Sequence, residues 1–483
     1  MIQIDNLIKK NSTLPMQIKA SIWFLICSFM QKGISTITTP VFTRLLSAYE
    51  YGQYSVFNSW MSIITIFVTL NLSCGVYTQG LIKFEEERSI FSSSLQGLTV
   101  TLSAFWCLIY ILFKEKWNQL FSLTTVQMLS MLALIWLTAV FGFWAAEQRV
   151  VYKYRMLVAL TIVVSLAKPI VGILFVLYAQ DKVTARILGL VIVEFVGYIG
   201  LFICQVRRGK RFFSFKYWKY AICFNIPLIP HYLSQTVLSN ADRIMIKDMI
   251  GAEKAGIYSL AYSISLIMTL FNTSMMQTIS PWIYKKIKDK NTNDIAPIAY
   301  VTMTLVAMVN ILLIAFAPEI VKIFAPKSYY NAIYVIPPVA MSVFFMYCYD
   351  LFAKFAFYYE KTSFIMIASV GGAVMNIILN YIFINKYGYV AAGYTTLVCY
   401  ILYAIGHYIF MNKVCNEKCK SGCPYKLKYI LLIAIVFIAI SFSLLFSYSN
   451  KVVRYGIVLC FFSILFIKKD SLVRVVKIFK RLK

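Results

Sequence analysis

Long polar segments are missing from this chain, and acidic and histidine residues are scarce. Of its 483 residues, 60% are hydrophobic and 14% are charged, and only two are histidines. None of the polar stretches between the apolar runs is long enough to fold as a domain. These features exclude a soluble globular protein, because the composition lies outside the range of that class.

A nucleotide-binding loop of the form Gly-x-x-x-x-Gly-Lys-Ser/Thr is also absent. An ATP-driven pump needs that loop on a soluble domain to hold the nucleotide phosphates. The polar segments between the apolar runs are short and poor in paired carboxylates, which argues against a polysaccharide polymerase or a membrane glycosyltransferase with a sizeable catalytic loop outside the membrane. We therefore expect a membrane protein that is not an enzyme and that needs no cofactor.

About 14 apolar stretches follow one another, and each is long enough to cross a bilayer as a helix. They cover residues 16–39, 53–72, 91–113, 126–146, 157–179, 187–204, 219–239, 255–282, 295–317, 337–359, 364–384, 390–411, 429–447 and 453–467. The sequence thus predicts an all-α, polytopic membrane protein.

Basic residues far outnumber acidic ones, with 47 Lys and Arg against 19 Asp and Glu and a net charge of +28. Of these cations, 31 fall in the two terminal segments and in the loops on the same side as them. The positive-inside rule predicts that both termini of this multi-pass membrane protein lie in the cytoplasm. Because the charges are spread over short loops, we expect membrane lipids as partners and no nucleic acid. The tail 468–483 reads as an amphipathic helix on the inner leaflet.

The 11 cysteines do not form a secreted disulfide framework, since most lie within predicted spans. Cys415, Cys419 and Cys423 follow one another at four-residue spacing in a basic loop. A structural zinc site uses four ligands, and both histidines belong to spans. We therefore interpret these cysteines as reduced and predict no metal site.

A Gly-x-Tyr-Ser motif occurs twice, at Gly52–Ser55 and at Gly256–Ser259, 204 residues apart. The two copies begin the second and the eighth predicted spans. This spacing predicts two six-helix lobes, 1–218 and 219–412, followed by a third segment, 413–483, with two more spans. Because each unit has six spans, both units begin on the same side of the membrane, and the lobes are parallel repeats. In this design two lobes rock about a central cavity.

Several stretches around these motifs carry a family resemblance. They are Pro40-Val-Phe-Thr-Arg44-Leu-Leu-Ser-Ala-Tyr-Glu-Tyr-Gly52-Gln-Tyr54, Asn225-Ile-Pro227, Asn240-Ala-Asp242-Arg243-Ile-Met-Ile, Ala255-Gly256-Ile-Tyr258-Ser259, Ala317-Pro318-Glu319-Ile, Ser328-Tyr329-Tyr330 and Tyr358-Tyr359-Glu360-Lys361-Thr362. In order and spacing the chain resembles the Wzx-type polysaccharide repeat-unit flippases of the multidrug/oligosaccharidyl-lipid/polysaccharide (MOP) exporter superfamily.

The resemblance implies that the substrate is an undecaprenyl-pyrophosphate-linked oligosaccharide, moved by alternating access from the inner to the outer leaflet of a bacterial plasma (inner) membrane. It further implies a monomer driven by a proton or sodium gradient, with a polysaccharide polymerase and glycosyltransferases as candidate partners. The sugar composition and the polymer made, such as O-antigen, capsule or exopolysaccharide, stay open.

Cations deep in the spans are the candidate ligands of this substrate. A pyrophosphate is costly to place unsolvated in hydrocarbon, and a cation-lined cavity removes that cost. Lys32, Lys168 and Lys354 are the candidates. The alternative is that Lys32 extends to the membrane surface, or that these lysines only pair with acids.

Glu194, Asp350 and His231 are the candidates for coupling to an ion gradient, because each could carry a proton or help to bind sodium within the membrane. Asp350 precedes Lys354 by one helical turn, so a plain salt bridge is the alternative there. Two prolines precede His231 and should interrupt its helix.

Arg44, Asp242 and Arg243 are predicted to lie at the outer ends of the first and seventh spans. Pairing across the lobes would let them close an outer gate. The alternative is that these residues only cap their own helices and help to set the membrane topology.

Three other functions stay open. A multidrug or cation antiporter of the same superfamily shares the two-lobe plan, but its cationic substrates call for acids in the cavity, where this chain offers lysines. A peptidoglycan-precursor flippase is a close variant. An inactive scaffold for polysaccharide assembly enzymes would keep the fold and lose the substrate.

Overall fold

The structure is a computed structural model that describes residues 15–361, 363–418 and 422–467. Within these ranges, 11 helices are long and apolar enough to cross a membrane. The predicted class, an all-α polytopic membrane protein, is confirmed. The basic tail 468–483 and Cys419 lie outside the described residues.

The chain folds into two compact units, Met1–Thr236 and Val237–Lys483, which we call unit 1 and unit 2. Unit 1 contains α1 (Met16–Leu45), α2 (Ala48–Thr69), α3 (Val76–Lys83), α4 (Arg88–Leu112), α5 (Lys114–Phe121), α6 (Thr125–Val150), α7 (Tyr154–Tyr178), α8 (Lys182–Gly209), α9 (Phe215–Asn225), a 3₁₀ turn (Ile226–Leu228) and the start of α10 (Ile229–Met249).

Unit 2 contains the rest of α10 and all later elements. These are α11 (Ala252–Ser265), α12 (Ile267–Lys288), α13 (Ile295–Ala315), α14 (Ala317–Phe324), α15 (Ile336–Tyr358), α16 (Ser363–Tyr387), α17 (Val390–Lys418), α18 (Leu427–Phe446) and α19 (Lys451–Ile467), with 3₁₀ turns at Thr292–Asp294, Lys327–Tyr334 and Ser447–Ser449. Three predicted spans correspond to α2, α10 and α19, which are helices but are not among the 11 that meet the length and hydropathy criteria.

Local sequence signals start two of the unit 1 helices. Ser47 caps α2 by accepting a hydrogen bond from the backbone N–H of Glu50, whose carboxylate accepts in return from the N–H of Ser47. Thr124 and Gln127 form the same reciprocal capping box at the start of α6. Each box satisfies two backbone donors that a helix start otherwise leaves without partners.

The seventh span differs from its prediction. The sequence predicted one helix over 219–239, whereas α9 ends at Asn225, a 3₁₀ turn contains Pro227, and α10 runs on to Met249. The predicted interruption is confirmed, because a proline ring cannot continue the hydrogen bonds of the preceding turn. The predicted end of the span was wrong.

The division between the units also lies later than the predicted boundary at 218/219. Tyr217 and Ala221 of α9 are buried in one cluster with Leu72, Tyr77 and Phe91. This packing explains why α9 belongs to unit 1, although a repeat count assigns it to the second lobe.

Aromatic packing forms the centre of each unit. In unit 1, the rings of Tyr77 and Phe143 pack edge to face with centroids 4.7 Å apart. In unit 2, α15 is buried along most of its length, and its Phe344 ring lies 4.6 Å from that of Phe437 on α18. This contact attaches the penultimate described helix to the core of unit 2.

Candidate functional site

A cavity of about 400 Å³ lies among α1, α2, α7 and α8 of unit 1, and we call it the unit 1 cavity. Three cationic residues, Lys32, Lys168 and Arg186, contribute to its lining. Neutral polar side chains line it as well, namely Gln31, Ser35, Thr38, Tyr54 and Ser165. The structure thus brings together two of the three lysines predicted as substrate ligands, Lys32 and Lys168.

Lys168 also forms an ion pair with Glu194. Its Nζ lies 2.6 Å from Oε1 of Glu194, and the hydroxyl of Thr138 donates to Oε2 at 3.1 Å. The Lys168 side chain is 30% exposed and that of Glu194 7%. A predicted substrate ligand and a predicted coupling acid are therefore partners in one pair at the edge of the cavity.

Arg186 is a component of the site that the sequence analysis missed. Its guanidinium carbon lies 3.6 Å from the ring centroid of Phe42 and 3.6 Å from that of Tyr54. Its buried Nη1 has no hydrogen-bond partner among the described residues. The two rings cover the faces of the guanidinium, so its hydrogen-bonding capacity remains in the plane of the group.

The sequence offered one signal for Arg186. Arg186, Leu190 and Glu194 are spaced at four-residue intervals, which sets them on one face of a helix. Because the span was predicted to begin at residue 187, Arg186 counted as a loop cation, whereas α8 begins at Lys182.

A second polar cluster surrounds Asp242 in unit 2. The Asp242 carboxylate accepts hydrogen bonds from Tyr258 Oη at 2.5 Å, Asn380 Nδ2 at 2.6 Å and Thr396 Oγ1 at 2.9 Å. Asn376 and Thr395 contribute further side-chain oxygens, and both hydrogen bond with Asn380. We call these side chains the Asp242 cluster.

Asp242 is 1% exposed and lies within α10 rather than at the end of a span, so its predicted location was wrong. No Lys or Arg in the described ranges forms an ion pair with it. The neighbouring Arg243 instead packs against the Tyr262 ring at 4.3 Å and donates to Asn240 at 3.2 Å. The carboxylate is thus held by neutral donors.

The two copies of the Gly-x-Tyr-Ser motif take part in these two sites. Tyr54 stacks on Arg186 in unit 1, and Tyr258 donates a hydrogen bond to Asp242 in unit 2. The motif marked the repeat in the sequence. In the structure, each copy also positions a charged side chain, a cation in one unit and an anion in the other.

The remaining predicted site residues have other contacts. Lys354 Nζ lies 2.5 Å from Asp350 Oδ1, which is the salt bridge that the sequence left open. His231 lies in the first turn of α10 beside the ring of Tyr232, with centroids 6.0 Å apart. Arg44 donates to Pro40 O of its own helix at 2.8 Å.

Potential metal ligands are dispersed in the part of the chain that the structure describes. Across 15–361, 363–418 and 422–467, no group of three or more His, Cys, Asp and Glu side chains is arranged to hold a metal ion. Cys415 is buried, and Cys423 Sγ lies 3.7 Å from the carbonyl oxygen of Tyr425.

The helical, multi-pass fold is that of the MOP superfamily of flippases and transporters. It is similar to a solved structure described as lipid II flippase MurJ in an inward closed conformation, with TM-score 0.72 and 15% identity over 93% of this chain and 100% of that one. It is also similar to an inward-facing multidrug resistance MATE family transporter, with TM-score 0.61 and 11% identity over 81% of this chain and 96% of that one.

The chain belongs to the family described as polysaccharide biosynthesis protein, which matches residues 18–287. The MatE family matches residues 227–382. A curated relative, an uncharacterized membrane protein of Haemophilus influenzae, is 20% identical over 360 residues, which are 73% of this chain and 87% of the relative.

Proposed function

We propose that the protein is a flippase that moves undecaprenyl-pyrophosphate-linked oligosaccharide repeat units across the bacterial plasma membrane. The observation that carries this proposal is the unit 1 cavity, in which Lys32, Lys168 and Arg186 lie among hydroxyl and amide side chains. The protein acts as a secondary transporter rather than an enzyme, by alternating access, and both termini are in the cytoplasm.

The chemistry of the cavity suits a pyrophosphate. Three cations compensate the negative charge that hydrocarbon would otherwise disfavour. Arg186 is the strongest candidate ligand, because its stacked guanidinium is already oriented and a planar fork of donors matches phosphate oxygens. Gln31, Ser35 and Thr38 offer hydrogen bonds to sugar hydroxyls.

The Asp242 cluster supports a coupling role for Asp242. Glu194 and Asp350 are each neutralised by a lysine, whereas the hydrogen bonds to Asp242 come from neutral groups and the neighbouring Arg243 makes no ion pair with it. A buried carboxylate without an ion-pair partner is costly, so it gains from binding a proton or a sodium ion. The side-chain oxygens of Asn376, Asn380, Thr395 and Thr396 are ligands of the kind that a hard cation takes. Asp242 is therefore a stronger coupling candidate than Glu194, Asp350 and His231. Its burial also makes it unsuitable as a residue of an outer gate.

A cationic drug is a poor substrate for this cavity, because Lys32 and Arg186 repel it, while Lys168 already pairs with Glu194. A peptidoglycan-precursor flippase remains the alternative, since its substrate shares the pyrophosphate. A scaffold role would leave the cations of the cavity without a ligand.

The test is a leaflet assay in the host. Deletion of the gene should make the lipid-linked oligosaccharide accumulate on the cytoplasmic face, and the wild-type chain should reverse this. Arg186→Ala should fail to reverse it, with export at least about tenfold lower, as expected from losing one charged hydrogen-bonding group. Arg207→Ala is the matched control, because Arg207 is an exposed cation on the same helix.

An unchanged leaflet distribution after deletion would refute the flippase and favour the exporter or the scaffold. Full export by Arg186→Ala would remove Arg186 from the substrate site and leave the flippase intact.

A further inference from the structure

A second cavity of unit 1, about 840 Å³ in volume, lies where α1 and α7 begin and where α6 and α8 end. We call it the unit 1 groove. It is separate in its lining from the unit 1 cavity, with which it shares no described residue. Its position at the helix ends assigns it to one membrane–water boundary, on the side that the basic loops predict to be cytoplasmic.

Three cations line the groove, together with the neutral polar side chains of Gln148 and Tyr154. Lys19 of α1, Lys153 at the start of α7 and Arg155 in its first turn all line it, and none of the described residues in its lining is acidic. Lys153 and Arg155 are exposed, so they can reach a ligand from the surface. Three cations without an acid complement an anionic headgroup at the depth of the lipid phosphates.

The rest of the groove is mostly apolar. Leu160 of α7 and Leu201 of α8 line it, as does Gly197, and Gly200 of α8 exposes helix backbone where a side chain would otherwise stand. A Cβ atom added at Gly200 would meet no heavy atom within 4 Å. A hydrocarbon chain can therefore lie directly against α8 in this stretch.

We propose that the unit 1 groove binds one anionic phospholipid of the surrounding membrane. Its phosphate contacts Lys19, Lys153 and Arg155, and an acyl chain lies along Gly200 and Leu201. The mostly apolar wall argues against the glycan-bearing substrate, because most sugar hydroxyls would lose their hydrogen bonds there. The site is independent of the flippase function.

The binding test uses the full chain purified in mild detergent and native mass spectrometry. Phosphatidylglycerol is the anionic probe and phosphatidylcholine the neutral one. The wild type should retain phosphatidylglycerol in preference. Lys153→Ala/Arg155→Ala removes two of the three headgroup cations, and Gly200→Leu places a side chain in the chain site, where its Cβ would meet no heavy atom within 4 Å. Each should lower retention at least about tenfold, as expected from losing charged hydrogen bonds or the buried chain.

Two controls match these variants. Arg207→Ala/Arg211→Ala removes the same charge from exposed positions nearby, and Gly371→Leu adds the same side chain to α16 at a glycine whose Cβ would also meet nothing within 4 Å. Both should retain phosphatidylglycerol like the wild type. Equal retention in all variants, equal loss in the charge control, or no preference for phosphatidylglycerol in the wild type would each overturn the proposal.

Discussion

Charged side chains inside the helices differ in how they are neutralised, and this difference separates their roles. Lys168 and Glu194 pair with each other, as do Lys354 and Asp350. Arg186 is held by aromatic rings. A charge already paired within the protein gains less from a ligand than one whose solvation is incomplete.

At Asp242, removal of the negative charge should separate coupling from folding. Asp242→Asn keeps the size of the side chain, and we expect gradient-driven transport to fall at least about tenfold because the ion-binding charge is lost. The midpoint of thermal unfolding should not fall, since a buried charge is removed. Transport in proteoliposomes with an imposed proton or sodium gradient measures the first effect.

Asp248→Asn is the control for that substitution, because Asp248 lies on the same helix and its side chain is 55% exposed. It should transport like the wild type. Normal gradient dependence in Asp242→Asn would contradict the coupling role.

The role of Lys168 is tested by comparing a single variant with a double variant that also changes Glu194. Lys168→Ala alone leaves Glu194 buried without its counter-charge, which costs about 3–5 kcal/mol in comparable pairs. Lys168→Gln/Glu194→Gln should restore the thermal midpoint but not export, because the cavity still lacks one cation. Export at the wild-type level by the double variant would show that Lys168 serves only the pair.

At the scale of elements, the last described helix is attached to unit 2 by a buried charge. Arg454 of α19 is 1% exposed and forms an ion pair with Glu319 of α14, which also accepts a hydrogen bond from Tyr455 at 3.0 Å. Tyr448 donates to Ile314 O of α13 at 2.7 Å. These contacts attach the hairpin of α18 and α19, which lies outside the sequence repeat, to α13 and α14 within the repeat.

Breaking this attachment should destabilise the hairpin. Arg454→Met leaves Glu319 without its cation, and because the Glu319 side chain is 33% exposed, we expect the free energy of unfolding to fall by about 1–3 kcal/mol. Thermal unfolding and limited proteolysis near 447–451 would detect the change. Arg454→Met/Glu319→Gln should recover most of it, and Lys451→Met, an exposed neighbour, should have no effect. A wild-type midpoint for the single variant would show that the pair contributes little.

At the scale of the whole molecule, two compact units share one helix, α10, in which the division falls between Thr236 and Val237. The tyrosines of the two Gly-x-Tyr-Ser copies contact charges of opposite sign, Arg186 in unit 1 and Asp242 in unit 2. If these sites act as proposed, unit 1 provides the substrate cations and unit 2 the coupling anion.

The orientation of the chain in the membrane is a prediction for the whole molecule. Alkaline phosphatase fused after Asp181 should be active, and the same reporter fused after Gly422 should be inactive, because the basic loops face the cytoplasm. A fluorescent protein fused at the C-terminus should be bright. The reverse pattern would refute the predicted topology.

Much of the helical organisation could be predicted because hydropathy and proline act locally. The interruption at Pro227 was predicted correctly, while the end of that span was not, since α10 continues through the polar residues Asn240, Asp242 and Arg243. The Asp242 carboxylate accepts hydrogen bonds from other helices of unit 2, and Arg243 packs on a tyrosine ring of α11. A hydropathy profile does not register such contacts.

The sequence by itself determined the membrane environment, the helical class, the repeated motif and the scarcity of intramembrane acids, because these depend on composition and short-range periodicity. Only the tertiary structure decided which charges meet. Glu194 lies 26 residues from Lys168, Asn380 lies 138 residues from Asp242, and Glu319 lies 135 residues from Arg454. Contacts over such separations depend on how helices pack. Lys168, which was predicted as a substrate ligand, therefore also forms an ion pair with Glu194. Arg186, which was assigned to a loop, lines the unit 1 cavity.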